Sequence, residues 1–125
     1  MSSILDIMST IEYNEVMKDE YDIEIYKTSN GKEPLTEWLE SLKDRIAKRT
    51  ILMRIQRIRQ GNFGDCKPVG NGLQEMRIHF GSGFRVYFAN LGDKLVLLLA
   101  GGLKGDQEKD IKKCKIYLES YKEAK

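Results

Sequence analysis

Two neighbouring stretches of strict alternation constrain this chain more than any other feature. Before Gly81, Met76, Ile78 and Phe80 fall on one side of an extended backbone, and Glu75, Arg77 and His79 fall on the other. After Gly83, Phe84, Val86 and Phe88 share one side, and Arg85 and Tyr87 the other. A period of two marks a strand with one face on a core. The loop Gly81-Ser82-Gly83 joins the two strands as a hairpin, pairing Phe80 with Phe84, His79 with Arg85 and Arg77 with Tyr87. A slip by one residue would destroy the sorting of apolar from functional groups, so the pattern resists it. Neighbours across such a pair stand about 5 Å apart. Two arginines, an imidazole and a phenol can then converge on one small ligand. The plainer reading is a solvated sheet face on which Glu75 pairs with an arginine.

The rest of the chain supplies material for a fold around this hairpin. Tyr21–Lys27 alternates as a strand with Ile23 and Ile25 on one side, and 29–32 is a turn. Pro34 suits the first turn of a helix, and Leu35, Trp38, Leu39 and Leu42 follow at helical spacing. That stripe makes Trp38 a core residue. A second helix runs from Asp44 to Gln60 on a seam of Ala47, Ile51, Ile55 and Ile58, with Gly61 as its stop. The two helices read as a helical hairpin, and 61–65 as a loop. Strands follow at 73–80, 84–90 and 94–100, with turns at 81–83 and 91–93. Leu95–Leu99 does not alternate, which predicts a strand buried on both faces. A last helix over 106–121 lines up Ile111, Cys114, Leu118 and Tyr121. Residues 1–20 form an N-terminal extension whose scattered apolar positions suggest a short helix. The expected class is α+β: a mostly antiparallel sheet of about four strands, an N-terminal helical hairpin and a C-terminal helix, with the domain spanning 21–122.

Charge narrows the partners. The net charge is only +2 over 125 residues. Residues 1–42 carry 3 Lys/Arg and 10 Asp/Glu, whereas residues 43–85 carry 10 and 3. Such a basic block attracts phosphate or an acidic protein, or simply covers a solvated helix. Cys66 and Cys114 lie far apart, so neither a disulfide framework nor a zinc site is expected, and a reducing cytoplasm is. A single histidine and no ligand spacing point to no metal and no cofactor. No apolar run is long enough to span a membrane, and no secretory signal opens the chain. Gly101-Gly102-Leu103-Lys104-Gly105 lacks P-loop spacing, but its glycines can bring Lys104 to the end of the sheet.

Several segments resemble a known family. They are Gly61-Asn62-Phe63-Gly64-Asp65, Pro68-Val69-Gly70, Glu75-Met76-Arg77-Ile78-His79, Gly83-Phe84-Arg85-Val86-Tyr87, Gly101-Gly102 with Lys104, and Asp110-Ile111. In this order they resemble the addiction-module killer proteins, the HigB-like branch of the RelE/ParE toxin superfamily, over residues 21–120. The resemblance implies a RelE-like fold and an mRNA endoribonuclease acting in the ribosomal A site. It also implies a cognate antitoxin as partner, often a helix-turn-helix protein. The family's catalytic positions fall on Arg77, Arg85 and Lys104, with His79 in the same face and Tyr87 as a further candidate. Arg45, Lys48, Arg49, Arg54, Arg57 and Lys67 are the cations expected to hold RNA. Glu75 stands where some members carry lysine. The superfamily also contains ParE-like toxins that inhibit DNA gyrase without catalysis, which is the alternative function.

Overall fold

The run that refuses to alternate sits at the heart of the sheet. In the structure, a computed structural model describing residues 20–125, β5 (Leu95–Leu103) sends Val96 and Leu98 into one hydrophobic cluster and Leu97 and Leu99 into another. It lies between β4 (Phe84–Gly92) and β1 (Asp22–Ile25), in a sheet whose order is β1-β5-β4-β3-β2, with β3 at Leu73–Ile78 and β2 at Cys66–Gly70. β1 pairs with β5 in parallel, and the other three pairings are antiparallel. A parallel edge needs a long crossover back to the sheet, and the chain between β1 and β5 supplies it.

The protein is therefore α+β with a five-stranded mixed sheet, where four mostly antiparallel strands were expected. The additional strand is β2. Pro68 lies within it, and proline is tolerated there because β2 is an edge strand. The signal for it was present in Asn71-Gly72, which takes φ of 57° and 82° and closes a two-residue hairpin between β2 and β3. Asp93 and Lys94, at φ of 50° and 59°, do the same between β4 and β5, one and two residues beyond the centre of the expected turn at 91–93.

One face of the sheet is covered by α1 (Pro34–Ser41) and α2 (Arg45–Arg59). Leu35, Leu39, Ala47, Ile51, Ile55 and Ile58 pack there with Met76, Ile78, Phe84, Val86 and Phe88. Asp44 caps α2, its Oδ1 accepting from the amides of Ile46 (2.9 Å) and Ala47 (3.1 Å). Such a cap stabilises a helix by about 1 kcal/mol. Trp38 lies half-buried against Phe84 and directly over Gly101, where a Cβ would stand 2.2 Å from its ring. The opposite face is covered by α3 (Gln107–Glu123), through Cys114 and Leu118, with Ile111, Tyr117 and Tyr121 beside them. α1 ends at Ser41, one residue before Leu42, and α3 runs two residues past the expected end. The short helix read from the first twenty residues lies outside the described residues, Glu20 excepted. No helix among the described residues is long and apolar enough to cross a membrane.

Candidate active site

The hairpin keeps its two faces but not the expected pairing. β3 ends at Ile78, and Ile78 faces Phe84, Arg77 faces Arg85 and Glu75 faces Tyr87. The register differs from expectation by two residues. A shift of two preserves every side chain's face, so alternation alone could not choose between the two pairings. His79 and Phe80 join a five-residue connection, 79–83, closed by a hydrogen bond from the Gly83 amide to the Phe80 carbonyl at 2.9 Å. His79 is thus not opposite Arg85.

The polar face then divides into two environments. At its rim stands Asp65, whose backbone carbonyl accepts from the Arg77 amide at 2.9 Å. Its Oδ1 accepts from Arg77 Nη2 (2.8 Å) and Nε (3.2 Å), and its Oδ2 meets His79 Nε2 at 2.6 Å. The Arg77 hydrogen bond first, and the His79 contact second, pull the Asp65 carboxyl down to about 2. Asp65 in turn raises the pKa of Arg77. The group is open to solvent, with the side chains of Arg77 34% and His79 67% exposed. Arg77 spends one edge of its guanidinium on Asp65 and keeps Nη1 outward of that contact, a donor fit for a phosphate oxygen. Asp65 closes the segment Gly61-Asn62-Phe63-Gly64-Asp65, and a carboxylate in a loop has no periodicity to reveal its partners.

Inward along the same face, Arg85 is 5% exposed, Glu75 3% and Tyr87 0%. Arg85 Nε lies 3.5 Å from Glu75 Oε1, close enough for an ion pair yet without hydrogen-bond geometry. Nη1 of Arg85 donates to its neighbour's carbonyl, that of Phe84, at 3.1 Å. The Tyr87 hydroxyl is buried without a partner, and burial, then the nearby Glu75 and Asp110, push its pKa far upward. Asp110 of α3 seats Oδ2 over Gly102, where a Cβ would stand 1.9 Å away. That oxygen also lacks a partner, and burial, reinforced by Asp106, raises the Asp110 pKa. Gly102 is the cross-strand neighbour of Arg85. The glycine pair thus has two uses, Gly101 admitting Trp38 on one face and Gly102 admitting Asp110 on the other.

Of the five predicted catalytic residues, Arg77 and His79 are gathered on Asp65, while Arg85 and Tyr87 lie beneath the surface. Lys104 is exposed, its stem packed on Gly83 and its amide donating to the Gly83 carbonyl at 3.2 Å. It flanks the same connection that carries His79. Among the predicted RNA cations, Arg45, Arg49, Arg57 and Lys67 are exposed and Lys48 is half-buried. Arg54 is used otherwise: Nη1 donates to the Arg77 carbonyl at 2.8 Å and Nη2 to that of Phe63 at 3.4 Å. It ties α2 to the loop that carries Asp65. Among the described residues, no three His, Cys, Asp or Glu side chains gather as a metal site.

No family model matches the chain. An uncharacterized protein of Haemophilus influenzae is 51% identical to it over 79 residues, which are 63% of this chain and 80% of that protein. The chain belongs to that protein's family. Membership in the Haemophilus protein's family carries no stated activity, so function rests on the site itself.

Proposed function

We propose that this chain is the toxin of a type II toxin–antitoxin system, with a RelE-like fold. On this reading it is a metal-independent endoribonuclease that cuts mRNA in the ribosomal A site and is neutralised by a cognate antitoxin, a helix-turn-helix protein. The observation that carries the reading is the gathering of Arg77 and His79 on one exposed carboxylate, at the rim of a packed sheet. Cleavage of RNA by its own 2′-hydroxyl needs three things: a proton acceptor, charge stabilisation at phosphorus and a proton for the departing 5′-oxygen. His79 takes the 2′-proton as the O2′–P bond forms. Arg77 binds the phosphate oxygens as charge develops, since a guanidinium stays protonated throughout. The P–O5′ bond breaks and the 5′-oxygen receives a proton from Lys104, leaving a 2′,3′-cyclic phosphate and a 5′-hydroxyl. Arg85 and Tyr87, as buried groups, support the strand that carries the site. Arg45, Lys48, Arg49, Arg57 and Lys67 hold the surrounding RNA by charge.

The burial of Arg85 and Tyr87 favours the second reading, a non-catalytic ParE-like toxin that inhibits DNA gyrase through this same surface. One experiment separates the two. Expression of the chain alone should arrest growth and leave new 5′ ends in translated mRNA, read by primer extension. His79→Ala should lower the single-turnover cleavage rate on saturated ribosomes by about 10²–10⁴, with binding little changed. Intact transcripts together with trapped gyrase–DNA complexes would transfer the assignment to the gyrase class.

A further inference from the structure

His79 is the only histidine of the chain, and one of its two ring nitrogens is already engaged. Nε2 stands 2.6 Å from Asp65 Oδ2. An ionised carboxylate has lone pairs and no hydrogen to give. Asp65 is held ionised at neutral pH by the Arg77 guanidinium on its other oxygen. The hydrogen in the short contact therefore belongs to the ring, and Nε2 is the donor. A neutral imidazole carries one N–H and one lone pair, so the lone pair falls to Nδ1. The ring is largely exposed, so packing does little to orient it, and the hydrogen bond has that task. Asp65 is itself well anchored. Its carbonyl is bonded to the Arg77 amide, and Cys66 beside it opens the β2–β3 ladder opposite Met76. One carboxylate thus fixes both a base and the cation beside it.

We propose that Asp65 is a positioning residue that holds His79 as its Nε2–H tautomer, making Nδ1 the basic nitrogen of the site and locking Arg77 alongside it. In the cleavage reaction proposed above, on which only this last consequence rests, the 2′-hydroxyl would approach Nδ1.

The single histidine makes a direct test clean. Iodoacetate alkylates whichever imidazole nitrogen holds the free lone pair, and the two carboxymethylhistidines separate after hydrolysis. The intact protein near neutral pH should yield the Nδ1 product. Asp65→Ala should lose that preference and yield the Nε2 product as well, while Asp65→Glu restores part of it. Ring ¹⁵N shifts report the same change without a reagent: one pyrrole-like and one pyridine-like nitrogen in the native protein, and values drawn together in Asp65→Ala. Should Asp65→Ala not fold, Asp65→Asn and the native protein carry the test. Nε2 alkylation of the native protein, or a product ratio indifferent to residue 65, overturns the proposal. Nδ1 alkylation in a protein that cuts no RNA upholds it and removes the nuclease reading instead. If RNA is cut, Asp65→Ala should lose rate in single turnover without losing ribosome binding, with Asp65→Glu recovering part of the rate.

Discussion

Arg77 and Arg85 face each other across one hairpin and point to the same side of it, yet they live in different solvents. Arg77 meets a carboxylate with hydrogen-bond geometry at the rim, where water remains available for its other donors. Arg85 meets Glu75 at 3.5 Å under the surface, and the Tyr87 hydroxyl and an Asp110 oxygen lie buried near it without partners. Exposed charges are cheap to hold and available for chemistry. Buried ones are held only because removing a single partner is worse than keeping an imperfect pair. Place across the sheet, with Arg77 on β3 toward the β2 edge and Arg85 on the more central β4, therefore decides whether an arginine serves a site or a scaffold.

The sharpest way to break this comparison is to truncate the two arginines in turn. Arg85→Ala strands Glu75 as a buried unpaired charge and should destabilise the protein by about 3–5 kcal/mol in urea unfolding. The double variant Glu75→Gln/Arg85→Met should regain much of that loss. Arg77→Ala breaks a solvent-open pair with Asp65 and should lower the unfolding midpoint much less than Arg85→Ala, while abolishing growth arrest if the toxin reading holds. Equal midpoints for the two single variants would show that the environments do not differ. Alternation puts both arginines on one polar face and does not separate them, because it reports a face and not what covers it.

The glycine under Asp110 gives the next effect. Gly102→Ala forces a methyl against Oδ2 and should cost about 1–3 kcal/mol through displacement of α3. Adding Asp110→Ala should return most of it. A cost that persists in the double variant would place the constraint in the backbone of β5 instead. Smaller still is Tyr87→Phe. It removes a buried hydroxyl that has no partner, so the melting temperature should hold or rise, by up to the equivalent of about 1 kcal/mol. A clear fall would reveal a hydrogen bond to that hydroxyl.

The two carboxylates sharpen the contrast by titrating in opposite senses. Asp65 is depressed from 3.8 to about 2 on folding, so its contribution is present above pH 3.8 and lost as pH falls toward 2. Asp110 is raised by burial, so its contribution is full below 3.8 and lost as pH rises through its folded value. Melting temperatures of Asp65→Asn and native protein should therefore converge in acid, whereas Asp110→Asn should exceed native protein most clearly near neutrality. Parallel curves for either pair would deny the shift.

Much of this molecule was legible as local pattern. The stripe of Leu35, Trp38 and Leu39, the seam of Ala47, Ile51, Ile55 and Ile58, and the unbroken run Leu95–Leu99 each specify an element and its buried side, because helical and extended side-chain periods are properties of the backbone itself. The faces of the hairpin follow from the same rule. What lay beyond it was strand register, non-local pairing and burial. The pairing of β3 with β4 could move by two residues without changing a face. The parallel neighbour of β5 comes from more than sixty residues upstream. Above all, the sorting of one polar face into an open site and a buried scaffold came from where α3 lies and from where the 61–65 loop brings its carboxylate. Burial and charge pairing are set by groups distant in sequence, and no local period encodes the distance between Asp65 and His79. The sequence by itself determined which side chains share a face; the tertiary structure decided which of them meet water, because solvent access depends on what the rest of the chain places above them.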